Sequence, residues 1–200
     1  MGGEGFSPSD KRLAKRKVEI DMGKLYFVRH GESEWNTIGR ICGATDIPLT
    51  DRGREMARDT AREIVKEGIK VDRIISSPLS RAYETATIIG SVLGVDVKKD
   101  DRIKEQNFGV WEGQCGKGNK EFQDAKRMFC SSYSGGESMM KTAQRVYNLI
   151  DEVKKDKDNT YLLVAHNGIY RIIQSYFFDL TNEEFASQTM PNCAIKVYDI

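Results

Sequence analysis

The sequence predicts an α/β fold, a three-layer sandwich with a mostly parallel central sheet. Short apolar runs bounded by polar or glycine-rich segments recur along the chain, as expected of strands that are buried on both faces. Amphipathic helical patterns separate these runs, and repeated strand–helix units place helices on both faces of a sheet. With 200 residues, of which 39% are hydrophobic, the chain is long enough for one well-buried core.

The first half of the pattern predicts two strands and two long helices. Residues 25–28 form the first apolar run. A helix is predicted from Thr50, a suitable N-cap, to just before Gly68. Its inward stripe comprises Ala57, Ala61, Ile64 and Val65. Residues 73–76 predict the next strand, and the helix after it ends before Gly94.

The second half repeats the pattern. A helical stripe runs from Met139 to Val153, and its methionines are assigned to the core rather than to a functional patch. Residues 161–165 predict a strand, and an amphipathic helix follows it. Residues 194–198 predict the last strand. Residues 23–200 are therefore predicted to form a single domain.

Residues 1–22 differ in composition from the rest and are predicted to be an N-terminal extension or leader. Five basic side chains lie within residues 11–17, so the alternative is a basic arm that touches nucleic acid or a membrane. The formal net charge of +1 favours neither partner for the chain as a whole. No apolar run approaches the roughly 18 residues that span a bilayer, and a cytoplasmic protein is expected.

The four cysteines are widely spaced and show no paired-ligand spacing. They are predicted to be free thiols, and no structural metal is expected.

The two histidines of the chain each follow an apolar run. His30 follows residues 25–28 and His166 follows residues 161–165. Because parallel sheets bind ligands at the carboxyl ends of their strands, both imidazoles are expected at one edge. Arg29 adjoins His30, and Arg81 lies at the start of a helix, where backbone N–H groups favour an anion. A guanidinium can bind two phosphate oxygens at once, so these residues indicate a phosphoryl group.

Residues 23–200 resemble the histidine phosphatase superfamily, which also contains the cofactor-dependent phosphoglycerate mutases. The resemblance rests on six motifs in the family's order. They are Arg29-His30-Gly31-Glu32-Ser33-Glu34-Trp35-Asn36, the loop from Gly39-Arg40 to Pro48-Leu49-Thr50, Ser76-Ser77-Pro78-Leu79-Ser80-Arg81-Ala82, Glu105-Gln106-Asn107-Phe108-Gly109-Val110-Trp111-Glu112-Gly113, Gly135-Gly136-Glu137-Ser138 and His166-Asn167-Gly168. The resemblance implies a phosphoglycerate mutase-like fold.

The resemblance also implies roles for single residues. His30 would be the nucleophile and would form a phosphohistidine that water hydrolyses, with no metal or other cofactor. Glu105 would be the general acid and then the general base. His166 would help to stabilise the transition state. The implied phosphate-binding residues are Arg29, Asn36, Arg81, Gly43 and Asn167. Glu32 is assigned to local structure.

Two features favour hydrolysis over mutase activity. The acid loop Glu105-Gln106-Asn107-Phe108-Gly109 lacks the arginine that the mutases carry there, and only residues 114–134 precede the Gly-Glu-Ser turn. A mutase must retain a carboxylated substrate and exclude water while the phosphoryl group returns. The missing arginine and a longer lid would serve these two tasks. The prediction is a phosphoric monoester hydrolase of the histidine acid phosphatase type. A phosphoglycerate mutase and a non-catalytic phosphate-binding scaffold stay open as alternatives.

Residues 105–137 are predicted to form a cap that selects the substrate. Its candidate residues are Lys117, Lys120, Phe122, Phe129 and Tyr133. The aromatic side chains would suit a ring or an apolar group beside the phosphate, and core packing explains them equally well. A small phosphorylated metabolite is the expected substrate, with a phosphoprotein as the alternative. The sequence is compatible with a monomer or a homodimer.

Overall fold

The computed structural model describes residues 23–200, which form an α/β fold around a five-stranded sheet. The strands are β1 (Lys24–Arg29), β2 (Arg73–Ser76), β3 (Val97–Lys99), β4 (Tyr161–Ala165) and β5 (Ile195–Asp199). Their order in the sheet is β3-β2-β4-β1-β5, and β5 pairs antiparallel with β1 while the other pairings are parallel. The mostly parallel sheet is thus confirmed. The predicted leader over residues 1–22 lies outside the described residues.

Helices connect these strands. They are α1 (Glu34–Thr37), α2 (Asp51–Lys66), α3 (Ser80–Leu93), α4 (Lys120–Ala125), α5 (Met139–Val153), α6 (Asn167–Phe177) and α7 (Asn182–Ser187). The four long helices α2, α3, α5 and α6 were predicted, whereas α1, α4, α7 and strand β3 were not. Elements of three to six residues are too short to show a hydrophobic period. Within residues 23–200, no helix is long and apolar enough to cross a membrane.

The predicted helix ends are confirmed by their local geometry. The Thr50 side chain accepts a hydrogen bond from the backbone of Gly53 and caps α2. Gly94 ends α3 in the left-handed conformation, with φ of 69°. Gly68, just past α2, has φ of 67°. Glycine adopts these angles without the steric penalty that a side chain would bring.

The alternation of side chains along β4 separates the two halves of the core. Leu162 and Val164 pack with residues of α2 and α3 on one face of the sheet. Leu163 and Ala165 pack with residues of α5 and α6 on the other face. Because successive side chains of a strand point to opposite faces, one short apolar run joins both layers of helices. The three-layer sandwich is therefore confirmed.

One side chain of a predicted inward stripe and one methionine assigned to the core are exposed. Val65 in α2 is 56% exposed and Met140 in α5 is 60% exposed. Each directly follows a buried residue, Ile64 and Met139 respectively. Neighbouring positions on a helix are about 100° apart, so one of each pair turns towards solvent. The assignment of the methionines to the core is right for Met139 and wrong for Met140.

The segment predicted to be a cap contains a small apolar cluster of its own. Phe108, Phe122 and Tyr133 are buried there together with Ile41. The rings of Phe108 and Phe122 meet edge to face, with centroids 5.3 Å apart. Phe129 instead packs against the main core. Most of the aromatic side chains of this segment therefore contribute to packing.

Candidate active site

Three neighbouring strand ends carry the candidate site. The backbone N–H of His30, just after β1, donates to the carbonyl of Ala165 in β4 at 2.9 Å. The backbone N–H of Ser77, just after β2, donates to the carbonyl of Val164 at 3.0 Å. Because β2, β4 and β1 are adjacent, His30, His166 and Ser77 lie side by side at the carboxyl edge. The two imidazole centroids are 5.1 Å apart.

His30 is held with one ring nitrogen free. Its Nδ1 lies 2.7 Å from the carbonyl oxygen of Gly31, so Nδ1 carries the proton and Nε2 carries the lone pair. Burial of the ring, followed by the charges of Arg81 and Arg29, holds the pKa of His30 well below its usual value of 6.5. A neutral imidazole with a free Nε2 is the form that can attack phosphorus.

The loop that carries His30 is fixed by contacts from several elements. The Asn192 side chain donates to the His30 carbonyl at 2.8 Å. The Gly31 backbone N–H donates to the Thr85 hydroxyl at 3.0 Å. A Cβ on Gly31 would lie 2.4 Å from the carbonyl oxygen of Gly53 in α2, so only glycine permits this approach. The position of His30 is therefore defined by the surrounding fold.

His166 is the N-cap residue of α6 and is fully buried. Its Nε2 lies 2.7 Å from the Ser77 hydroxyl, which also accepts a hydrogen bond from the backbone N–H of Leu79 at 3.3 Å. We assign the hydroxyl proton to the contact with Nε2, which makes Nε2 the acceptor. Nδ1 then carries the ring proton, and among residues 23–200 it has no partner. It is a buried donor available to a phosphoryl oxygen.

Burial, and then the charge of Arg81, also lowers the pKa of His166 well below 6.5. Both imidazoles are therefore neutral at physiological pH. The positive charge of the site comes from its arginines.

The two arginines named from the sequence are tethered by backbone carbonyls. Arg81 is completely buried, and its Nη2 and Nη1 donate to the carbonyls of Gly43 and Thr45 at 2.7 and 2.9 Å. Nη1 of Arg29 donates to the Met190 carbonyl at 2.5 Å. In each guanidinium, Nε is buried and has no partner among the described residues. An oxyanion would satisfy these groups and balance their charge.

Gly43 lies outside the cleft lining and supports Arg81 instead of lining the phosphate site. A Cβ at this position would lie 2.5 Å from both the Gln106 carbonyl and a Glu112 carboxylate oxygen. The absence of a side chain lets the acid loop approach, while the Gly43 carbonyl orients the guanidinium. The phosphate-binding role implied for Gly43 stays a prediction, and the contact seen in the structure is the one with Arg81.

Other parts of the motifs also serve local structure. The Ser80 backbone N–H donates to the Asp46 carboxylate at 2.7 Å, so the N-terminus of α3, expected to favour a bound anion, is already capped. Glu32 accepts a hydrogen bond from the Thr50 hydroxyl at 3.0 Å, in agreement with its assignment to local structure.

Glu105 is buried, and both of its carboxylate oxygens accept backbone hydrogen bonds. The donors are the N–H groups of Gln106 and Gly168, each at 2.9 Å. A Cβ at Gly168 would lie 2.3 Å from Oε1, so glycine is required for this contact. Glu105 and His30 line the same cleft. This arrangement fixes a carboxyl group where it can exchange a proton with a bound molecule.

The cleft has a volume of about 220 Å³. The candidate catalytic and phosphate-binding residues that line it are Arg29, His30, Asn36, Glu105 and Asn167, and Phe122 of the predicted cap lines it as well. Arg81 and His166 are buried and do not contribute to the lining. Asn36 accepts from the Ser33 backbone through Oδ1, which leaves its amide N–H groups for a ligand. Within residues 23–200, no group of three His, Cys, Asp or Glu side chains could hold a metal ion, and the four cysteines are unpaired.

Basic residues that the sequence analysis missed also line the cleft: Arg40, Lys126 and Arg171. Arg171 lies four residues after Asn167 in α6, so the helical period contained a signal for it. Lys126 follows α4 and is marked by no sequence pattern. Lys117 and Lys120, the basic residues predicted for the cap, are exposed and lie outside the lining.

A buried pair of neutral imidazoles among tethered guanidinium groups defines a phosphoryl-transfer site. The model of the histidine phosphatase superfamily (branch 1) matches residues 25–200. Phosphoserine phosphatase 1 of Hydrogenobacter thermophilus is 34% identical over 183 residues, covering 88% of this chain and 86% of that protein. A probable phosphoglycerate mutase of Serratia proteamaculans is 34% identical over 154 residues, covering 74% and 71%.

Among solved structures, a phosphoserine phosphatase of Entamoeba histolytica in complex with 3-phosphoglyceric acid aligns with a TM-score of 0.75 and 30% identity. The alignment covers 88% of this chain and 90% of that one. The chain belongs to the histidine phosphatase superfamily. It is a phosphoric monoester hydrolase that acts through a phosphohistidine intermediate.

Proposed function

We propose that this protein hydrolyses small phosphorylated metabolites, with His30 as the nucleophile and Glu105 as the proton donor and acceptor. The observation that carries the proposal is the neutral His30 ring, whose Nδ1 is bound to the Gly31 carbonyl and whose Nε2 has no hydrogen-bond partner among residues 23–200. A nucleophile that is already deprotonated needs no separate base for its attack.

In the first step, Nε2 of His30 attacks phosphorus as the bond from phosphorus to the ester oxygen breaks. The transition state spreads negative charge over the equatorial oxygens, and Arg29, Arg81 and Nδ1–H of His166 stabilise it. The amide N–H groups of Asn36 add neutral donors. These groups are held by the fold before the substrate arrives, so little reorganisation accompanies the charge shift.

Glu105 is the proton donor of the first step and the proton acceptor of the second. It donates a proton to the departing alkoxide in the first step. In the second step it removes a proton from the water that attacks the phosphohistidine, and the bond between phosphorus and nitrogen breaks. The two backbone hydrogen bonds to its carboxylate keep the group in place during both transfers.

The size of the cleft supports a metabolite rather than a phosphoprotein. A volume of about 220 Å³ accommodates a phosphoryl group with a short carbon chain. The names of the relatives agree, because they refer to phosphoserine and phosphoglycerate. Phosphorylated compounds of about three carbons are therefore the proposed substrate class.

Replacement of the nucleophile tests the mechanism. We expect His30→Ala to lower hydrolysis of p-nitrophenyl phosphate by about 10³-fold or more, because no covalent intermediate can form. Wild-type protein quenched during turnover of a 32P-labelled substrate should carry an acid-labile phosphoryl group on His30. Full activity of the variant, or a label elsewhere in the chain, would exclude His30 as the nucleophile.

A second assay separates hydrolysis from isomerisation. The protein is incubated with 3-phosphoglycerate and a bisphosphoglycerate primer, and phosphate release is followed together with 2-phosphoglycerate formation. We expect phosphate release to be the faster process. Isomer formation that outpaces release would identify a mutase.

A further inference from the structure

The loop between α7 and β5, residues 188–194, holds side chains of the site, although none of its own residues lines the cleft. The Met190 carbonyl accepts a hydrogen bond from Arg29, and the Met190 N–H donates to Oδ1 of Asn167 at 2.9 Å. Two residues further on, the side chain of Asn192 makes three more contacts with the site. Asn192 belongs to none of the six sequence motifs and has no role in the proposed mechanism.

The amide nitrogen of Asn192 faces three oxygen acceptors. Nδ2 lies 2.8 Å from the carbonyl oxygen of His30, 3.2 Å from that of Gly31 and 3.3 Å from Oδ1 of Asn36. An amide oxygen in this position would be repelled by all three acceptors, so the N–H groups point towards them. One side chain thus connects the backbone of the proposed nucleophile with a side chain that lines the cleft.

The carbonyl of Gly31 is the acceptor that determines the tautomer of His30. It lies 2.7 Å from Nδ1 of His30 and 3.2 Å from Nδ2 of Asn192. Because Asn192 also donates to the His30 carbonyl, the two consecutive carbonyl groups are both held by one amide. Asn192 therefore acts through the backbone on the direction in which Nε2 of His30 points.

The amide of Asn36 is oriented by two donors. Its Oδ1 accepts from the backbone N–H of Ser33 at 3.0 Å and from Nδ2 of Asn192 at 3.3 Å. In the flipped amide, an N–H group of Asn36 would face both of these donors. The two contacts therefore keep the N–H groups of Asn36 available to a phosphoryl oxygen in the cleft, which this side chain lines.

We propose that Asn192 is a positioning residue for phosphoryl transfer, which sets the placement of the His30 ring relative to the Asn36 amide. The inference rests on the proposed phosphatase function. Loss of Asn192 should slow the attack of Nε2 on phosphorus, because a misplacement of about 1 Å can lower a rate by about 10²-fold. Binding of phosphate by Arg29 and Arg81 should change little, because separate backbone carbonyls tether these guanidinium groups.

Rapid-quench kinetics with 32P-labelled p-nitrophenyl phosphate measure this attack directly. In Asn192→Ala, we expect the rate constant of phosphohistidine formation to fall about 30-fold, while the inhibition constant of inorganic phosphate stays within about threefold of the wild type. Asn192→Asp, which keeps the shape of the side chain and has no N–H to donate as a carboxylate, should lose at least as much. A wild-type rate in either variant, or a loss of phosphate affinity as large as the loss of rate, would overturn the inference.

Asn159→Ala is the matched control. Asn159 is half-buried like Asn192, and its Nδ2 donates to both carboxylate oxygens of Asp156, at 3.0 and 2.9 Å. It precedes β4, at the end of the strand opposite His166. We expect a wild-type rate of phosphohistidine formation, and melting temperatures report whether both variants are folded. Equal losses of rate in the two variants would refute the positioning role, because loss of any such hydrogen bond would then suffice.

A double-mutant cycle tests the contact with Asn36. We expect Asn192→Ala to slow phosphohistidine formation by a factor about threefold smaller in an Asn36→Ala background than in the wild type, because the contact is already absent there. Equal factors in the two backgrounds would refute the link between the two amides.

These outcomes are distinct from failure of the proposed function. If His30→Ala acquires no 32P label while Asn192→Ala forms the phosphohistidine at the wild-type rate, the phosphatase mechanism stands and the positioning role is refuted. A label that lies elsewhere than on His30 in the wild type would instead refute the phosphatase mechanism.

Discussion

A buried hydroxyl controls how His166 can serve a phosphoryl group. The Ser77 oxygen accepts from the Leu79 backbone and contacts Nε2 of His166, so its proton is directed at the ring. The ring then presents Nδ1–H, which has no other partner in the described part of the chain. The same imidazole in the other tautomer would present a lone pair to the phosphoryl oxygens, and the two would repel.

Removal of this hydroxyl should reduce the rate without unfolding the protein. We expect Ser77→Ala to lower kcat by about tenfold, because His166 loses the contact that fixes its tautomer and orientation. Nitrogen-15 NMR of the imidazole should report a changed Nδ1 and Nε2 pattern. Ser76→Ala is the control, since the Ser76 hydroxyl donates to a backbone carbonyl and touches neither ring. Equal losses of kcat in the two variants would contradict the role of Ser77.

At the scale of the elements, the start of α6 contributes several groups to the site within six residues. His166 is its N-cap, Asn167 and Arg171 line the cleft, and the Gly168 backbone donates to Glu105. The first turn of a helix has free N–H groups, so it can bind a carboxylate with its backbone. One helix terminus thereby holds Glu105, the proposed general acid, while its side chains line the cleft.

Substitution at Gly168 should separate activity from stability. In Gly168→Ala, the new Cβ would meet the Glu105 carboxylate, which can rotate away because it is the end of a flexible side chain. We expect kcat to fall by about 10²-fold, as the acid is misplaced. The melting temperature should be unchanged or slightly higher, since alanine is favoured over glycine in helices. A wild-type kcat would show that the position of Glu105 does not limit the reaction.

At the scale of the whole molecule, the two histidines buried at the strand ends make the stability of the fold depend on pH. The folded protein keeps both histidines neutral, with pKa values well below 6.5, whereas in the unfolded chain each has a pKa of about 6.5. As the pH falls below about 6.5, the unfolded state therefore binds more protons than the folded state. Linkage then requires the free energy of unfolding to decrease until the pH reaches the pKa values of the folded state.

Urea denaturation at several pH values measures this effect. We expect the contribution of the two histidines to the free energy of unfolding to be constant between about pH 7 and 8. The free energy of unfolding should fall between about pH 6.5 and 5. Carboxyl groups titrate mainly below this range. A variant with His30→Asn and His166→Asn should have a shallower slope between these pH values. An identical slope in the variant would mean that other groups cause the loss.

Long periodic segments and motifs were predictable from the sequence alone. The stripes of α2, α3, α5 and α6, the capping by Thr50 and the turn at Gly94 follow from short-range rules that need only neighbouring residues. The two histidines at strand ends were predicted to converge because parallel strands bring their carboxyl ends to one edge. The short elements α1, α4, α7 and β3 escaped prediction, because they contain less than two helical turns or only three strand residues.

The sequence by itself determined the fold class and the family and predicted the reacting histidine, since these are encoded in local periodicity and in motifs that can be identified one at a time. Only the tertiary structure decided which residues complete the site. Gly43 supports Arg81, Ser77 contacts His166, and Lys126 and Arg171 line one cleft from separate segments. The first two contacts join residues that are 38 and 89 positions apart in the chain. Packing of the strands and helices sets them, and no local rule of spacing can anticipate such contacts.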